Sequence, residues 1–223
     1  MGVRAVLEVA PKRAFASALD WPGWSRAGRT PEDALEALVA YGPRYAAVTR
    51  RARVAFDPPT VVRDIEVVER LTGGGGTEFG VPGLAGSTED DPLPDAELKR
   101  LLALLRATWW TLDTVAETAV GVELAKGPRG GGRDLGKILG HVRESEVAYL
   151  GKLGSRAPQP QEPRDAFADA VTANARGTPV ANPNKVRTLW SPRYAVRRAA
   201  WHVLDHAWEI QDRLTQSRVR SGA

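Results

Sequence analysis

The chain contains three histidines, His141, His202 and His206, and their placement suits one kind of chemistry. His202 and His206 stand four residues apart in "AWHVLDHAWEIQDR", and His141 lies in "GRDLGKILGHVRESEVAYL". On a helix, positions i and i+4 are about 40° apart on one face. Taking His202 as zero, Val203, Ala207, Ile210 and Leu214 gather about 80–140° round the wheel and form that helix's apolar stripe. His141 stands in the same relation to Leu135, Ile138 and Val142. All three imidazoles therefore sit at equivalent edges of two core-facing helices. Two nitrogens from one helix and one from a neighbour make a three-ligand divalent metal site with a position left open for water or substrate. The alternative is a set of hydrogen-bonded structural histidines at the rim of a core. That every histidine falls on one site favours the metal.

The neighbouring residues suggest roles but do not settle them. Val203 follows His202, so the general-base glutamate of an H-E-x-x-H zinc protease is missing. Asp205 and Glu209 are the candidate catalytic carboxylates. Glu209 lies about −20° on the wheel and could orient an imidazole, take a proton or ligate weakly. Ordinary salt bridges with Arg197, Arg198 or Arg213 account for both carboxylates equally well. Arg198, one turn before His202, is either an anchor for a substrate carboxylate or phosphate or a solvated arginine. Trp201, with Trp208, lies at the far edge of the wheel, placed to wall the site and contact substrate.

Four helical patterns without intervening strands position these residues. "DAELKRLLALLRATWWTLDTVAETA", "GRDLGKILGHVRESEVAYLGKL", "EPRDAFADAVTANAR" and "PRYAVRRAAWHVLDHAWEIQDRL" predict a four-helix bundle over residues 96–217. Ahead of them, residues 1–72 mix strand and helix signals. "RAVLEVA", "RAFASALD", "SRAGR" and "DIEVVERL" read as strands, and "WPGW" as a turn. "TPEDALEALVA" reads as a helix with Thr30 as N-cap, Pro31 in the first turn and Asp33 at the capping-box position. Gly42-Pro43 should end or kink it. A small sheet with a helix on one face results, so the fold class is α+β. Residues 73–95, dense in Gly, Pro and acidic residues with no apolar period, read as a linker that proteases should cut first.

Bulk composition narrows the function. The 223 residues carry no cysteine, which excludes disulfides, thiolate ligands and a cysteine nucleophile. The net charge of +4 is too mild to argue nucleic-acid binding, so nucleic acid is not an expected partner. The opening residues hold no apolar run that suggests a signal peptide or membrane span, and a cytoplasmic location without membrane association is the expectation. "GPRGGG" at 127–132 superficially suggests a phosphate loop. Arg133-Asp134 stands where Lys-Ser/Thr is needed, so a flexible entry loop is the simpler reading, with Arg129 and the loop amides as a conceivable anion site.

Two stretches resemble known families. "FASALDWPGWSRAGRTPEDALEAL" is similar to the core of HicB-type antitoxin domains, although nothing after Asp64 resembles their usual DNA-binding module. "GRDLGKILGHVRESEVAYL" followed by "RRAAWHVLDHAWEIQDR" resembles the DinB superfamily, in which one histidine from the second helix of a four-helix bundle and an H-x-x-x-H pair from the last form a metal triad. The resemblance implies His141, His202 and His206 as ligands, zinc or nickel as the metal, and a homodimer. It also implies thiol transferase, isomerase or hydrolase chemistry on a small-molecule substrate, with mycothiol or another small thiol as co-substrate. The expectation is a metal-dependent transferase or hydrolase that activates water or a small thiol. The rival is a non-catalytic module whose HicB-like part recognises a partner while the histidine bundle is structural.

Overall fold

The computed structural model describes residues 2–126, 132–156, 162–178 and 187–221, with side chains as far as residue 217. The glycine-rich tract read as an entry loop, Arg129 included, lies outside the described residues except for Gly132. The fold is mixed α+β. Strands β1 (Val3–Ala10), β2 (Arg13–Ala18), β3 (Ser25–Gly28) and β4 (Ile65–Thr72) form one sheet in the order β3-β2-β1-β4. β2 pairs antiparallel with β1 and β3, while β4 runs parallel to β1. That parallel pairing needs a long crossover, and α1 (Pro31–Ala40) and α2 (Gly42–Ala52) supply it.

Local signals decide where these helices begin and end. The Thr30 hydroxyl accepts from Asp33 N at 3.1 Å, and the Asp33 carboxylate accepts from Thr30 N at 3.2 Å, so the capping box closes as expected. The chain breaks at Tyr41 and starts again as α2, with Pro43 in the first turn, where its missing N–H leaves nothing unpaired. Beneath these helices, Ala5, Leu7, Ala14, Ala16 and Ala18 join Trp24, Leu38 and Tyr45 in one core. The alternate residues Val6, Glu8 and Phe15 point to the opposite face of the pleat, yet they too are buried. The sheet is thus covered on both faces, not one.

The second cover is the stretch expected as a linker. It carries α3 (Gly75–Phe79) and a single-turn 3₁₀ helix at Ser87–Asp90. Thr77 donates its hydroxyl proton to Glu8, and Leu84 N donates to the same carboxylate at 2.9 Å. Glu89 is buried and accepts from Arg197 at 2.6 and 2.8 Å and from Gly86 N at 2.7 Å. Tyr194 adds a hydrogen bond from its hydroxyl to Gly83 O at 2.6 Å. Polar contacts hold this strap, which is why no apolar period announced it.

Helices α4 (Asp95–Thr118), α5 (Leu135–Lys152), α6 (Pro163–Ala175) and α7 (Pro192–Ser221) complete the fold. From α7, Ala199, Val203, Ala207, Ile210 and Leu214 enter the bundle core, while Leu204 and Trp208 enter the sheet core. One helix therefore closes both cores. The "WPGW" turn rests directly on it: Gly23 has φ +93°, and a Cβ there would lie 2.8 Å from Leu204 Cδ1 and 3.1 Å from Ala200 O. Only glycine meets both demands. Arg44 of α2 reaches Gln211 at 2.6 Å and Asp212 at 3.0 Å, tying the sheet part to α7 a second time. Among the described residues no helix is long and apolar enough to cross a membrane.

Candidate metal centre

Helix α5 is fixed at its start by Asp134, whose carboxylate accepts from Lys137 N at 2.8 Å. Buried Ile138, Val142 and Leu150 then turn one side of it to the core, which leaves His141 at the rim facing α7. The stripe of α7 does the same for His202 and His206. The three imidazoles meet: ring centroids lie 5.0 Å apart for His141–His202, 5.2 Å for His141–His206 and 4.8 Å for His202–His206. One nitrogen from each falls within 4.8 Å of the others. His202 is buried; the other two are partly exposed, which gives the cluster a solvent side.

Protonation states follow from the surroundings. Burial pushes His202 down to about 2, and burial likewise lowers His141, because a charged imidazole loses its hydration there. Both are neutral at neutral pH, with lone pairs to offer. Their Nε2 atoms lie 3.2 Å apart, an approach that needs a proton or a cation between two lone pairs. His206 Nδ1 is 2.9 Å from Glu209 Oε2. A carboxylate only accepts, so Nδ1 carries a proton and Nε2 is the nitrogen left for a ligand. That hydrogen bond, with Arg213 behind it, holds the Glu209 carboxyl below its ordinary range. Arg213 donates to Glu209 Oε1 at 3.0 Å, to Ala125 O at 2.6 Å and to Arg133 O at 2.8 Å. One buried guanidinium so links the helix bearing two histidines to the chain entering the helix that bears the third.

The donor set fits a divalent metal. Two imidazole nitrogens about 2.0–2.1 Å from a tetrahedral zinc are separated by about 3.3 Å, close to the observed His141–His202 spacing. An all-imidazole set suits zinc, nickel, copper or iron. The carboxylate behind His206 is the usual outer partner of a ligating imidazole.

The other residues expected at the site divide. Glu209 is in it. Asp205 is not among the clustered ligand groups: its carboxylate is 3.7 Å from Arg26 and belongs to the contact between α7 and the sheet part. Trp201 is buried, edge-on to Phe15 at 6.2 Å and 6.2 Å from the His202 ring. Arg198 is not a solvated arginine. It is 8% exposed and stacks on Trp201 at 4.6 Å and on Tyr149 at 5.3 Å. Burial lowers its pKa. Sequence reasoning missed Tyr149, whose ring lies 5.7 Å from His202. Its position two turns after His141 was a usable signal. It also missed Trp190, packed on Tyr149 at 5.1 Å; Trp190 precedes α7 in irregular chain, where no period points at it. Comparison with known proteins finds no matching family model, curated protein or solved structure.

Proposed function

We propose that this protein is a metal-dependent enzyme of the DinB type, a transferase or hydrolase, in which His141, His202 and His206 hold one zinc or nickel ion. In this reading a HicB-like sheet unit is packed on the bundle and the protein acts as a homodimer. The observation that carries the proposal is the convergence of all three histidines, two of them with nitrogens 3.2 Å apart and the third oriented by a carboxylate.

When bound, the metal supplies Lewis acidity that lowers the pKa of a water or thiol, so that its anion is available at neutral pH. The chain's own residues do the rest. His141 and His202 stay neutral through burial and present lone pairs. Glu209 keeps the His206 proton on Nδ1. Trp201 and Tyr149 wall the His202 side with apolar surface, which keeps water out and strengthens every charge interaction there. The chain has no cysteine, so thiol chemistry requires an external small thiol, such as mycothiol, as co-substrate.

Elemental analysis of purified, untagged protein tests the reading. Near-stoichiometric zinc or nickel, absent from the His141→Ala variant, is the expected result and justifies screening thiol-transfer and hydrolytic substrates. Protein that contains no metal and refuses zinc, nickel, iron and manganese on titration would refute it.

A further inference from the structure

Arg198 is a buried charge beside the histidine cluster that lacks a full set of partners. Its side chain is buried, and its Nη1 has no hydrogen-bond partner. Arginine does not shed its proton in a protein, so this is a full positive charge kept in an apolar setting of Trp201 and Tyr149. The neighbouring arginines are committed: Arg197 to Glu89 and Leu84 O, Arg193 to Glu97, Asp91 O and Pro92 O. Glu8, a carboxylate whose field reaches Arg198, already accepts from Thr77, Gly83 and Leu84.

Position adds to this. Arg198 and His202 fall within about 40° of one another on α7, and Ser191 immediately precedes that helix. Ser191 Oγ, Arg198 Nη1 and His202 Nδ1 are all buried polar atoms without a partner, although such atoms are normally few and scattered. The rings of Tyr149 and His202 are 5.7 Å apart and the Arg198 guanidinium is 5.3 Å from the same tyrosine ring. Arg198 and His202 thus both adjoin the Tyr149 ring, four residues or about 6 Å apart along the helix.

We infer that Arg198 is the carboxylate-binding element of this site and that the substrate is a small monoanionic organic acid. Its carboxylate lies about 6 Å, one helical turn, from the group presented to the histidines. A single guanidinium between aromatic faces matches one negative charge and a flat, partly apolar acid. A phosphate dianion would leave one of its two charges unmatched by this single guanidinium. The reacting end rests on the metal reading above; the carboxylate site does not.

The test is calorimetric titration of the full-length protein with sodium benzoate and, separately, with inorganic phosphate, together with melting curves of ligand-free protein. Benzoate is expected to bind at one site, and Arg198→Met to weaken it about 10- to 100-fold, the loss typical of a charge-assisted hydrogen bond. Ligand-free Arg198→Met should melt no lower than wild type, because an unpaired buried charge gives way to an apolar chain. Arg198→Lys keeps the charge without the planar fork and should lose part of the affinity. Three titration results overturn the inference: no benzoate binding at millimolar concentration, equal binding by wild type and both variants, or preference for phosphate. An Arg198→Met protein that melts well below wild type also overturns it, since the guanidinium would then be structural. Metal content of the wild type separates the two readings. Wild-type protein that takes up no metal yet binds benzoate through Arg198 ends the metal reading alone, and metal-loaded wild type indifferent to benzoate ends this one alone.

Discussion

Replacing Glu209 by glutamine changes one atom's worth of chemistry behind the metal site. The carboxylate accepts from His206 Nδ1 at 2.9 Å and from Arg213 Nη1 at 3.0 Å. A carboxamide has one accepting face and one donating face, so it cannot serve both. If its oxygen stays on His206, its NH₂ confronts the Arg213 N–H. If it turns over, His206 must accept at Nδ1, and its proton moves to Nε2, the nitrogen needed for a ligand. Loss of the carboxylate behind a ligating histidine lowers metal affinity by about 10- to 100-fold, or about 1.4–2.7 kcal/mol. Arg213 is 2% exposed and its other partners are neutral carbonyls, whereas the Glu209 side chain is 31% exposed. Water therefore answers part of the lost charge, and the stability loss is about 1–2 kcal/mol, or about 2–8 °C in Tm. Zinc competition between metal-free protein and a chromophoric chelator reads the first quantity, and melting of the metal-free protein reads the second. A folded Glu209→Gln variant with unchanged zinc affinity would refute this role for Glu209.

Two further outcomes are expected. Glu89→Ala leaves the buried Arg197 guanidinium without its carboxylate, a loss of about 3–5 kcal/mol and about 6–20 °C in Tm by calorimetry. Limited proteolysis should spare residues 73–95 in wild type and cut them in this variant, and early cleavage there in wild type would contradict the packed strap. In metal-free protein, burial holds His202 at about 2 and lowers His141, while unfolded histidines take up protons near 6.5. The unfolded state then binds more protons below that pH, so stability must fall on acidification from about 6.5, by about 1.4 kcal/mol per pH unit for His202. Urea midpoints should drop from neutral to mildly acid pH and drop less in His202→Gln; a flat profile would contradict neutral, buried imidazoles.

The histidine cluster was legible because its geometry is local. Spacing within α7 and the relation of each histidine to an apolar stripe are properties of a helix, and the stripes of α5 and α7 determine which edges meet. The α1 capping box, the break at Gly42-Pro43 and the four long helices were readable for the same reason. Asp205 and Glu209 could not be ranked. They lie on one helix at similar distances from the histidines, and only the placement of Arg26 and Arg213 assigns one to the sheet contact and the other to His206. The strap over the sheet was illegible because buried ion pairs and backbone contacts hold it, and these have no period.

The same division runs through the whole chain. Its sequence by itself determines the four strands, the capped first helix and the four bundle helices. It also determines the absence of thiol chemistry of its own and the three imidazoles on core-facing edges. Each of these depends on composition or on neighbours within a few turns. Tertiary structure alone decides that α7 is buried on two sides, with Leu204 and Trp208 in one core and Val203 and Ile210 in the other. That double burial makes Arg198 an enclosed charge instead of a solvated one. A guanidinium's surroundings depend on residues tens of positions away, such as Tyr149, and no spacing rule along one helix contains them.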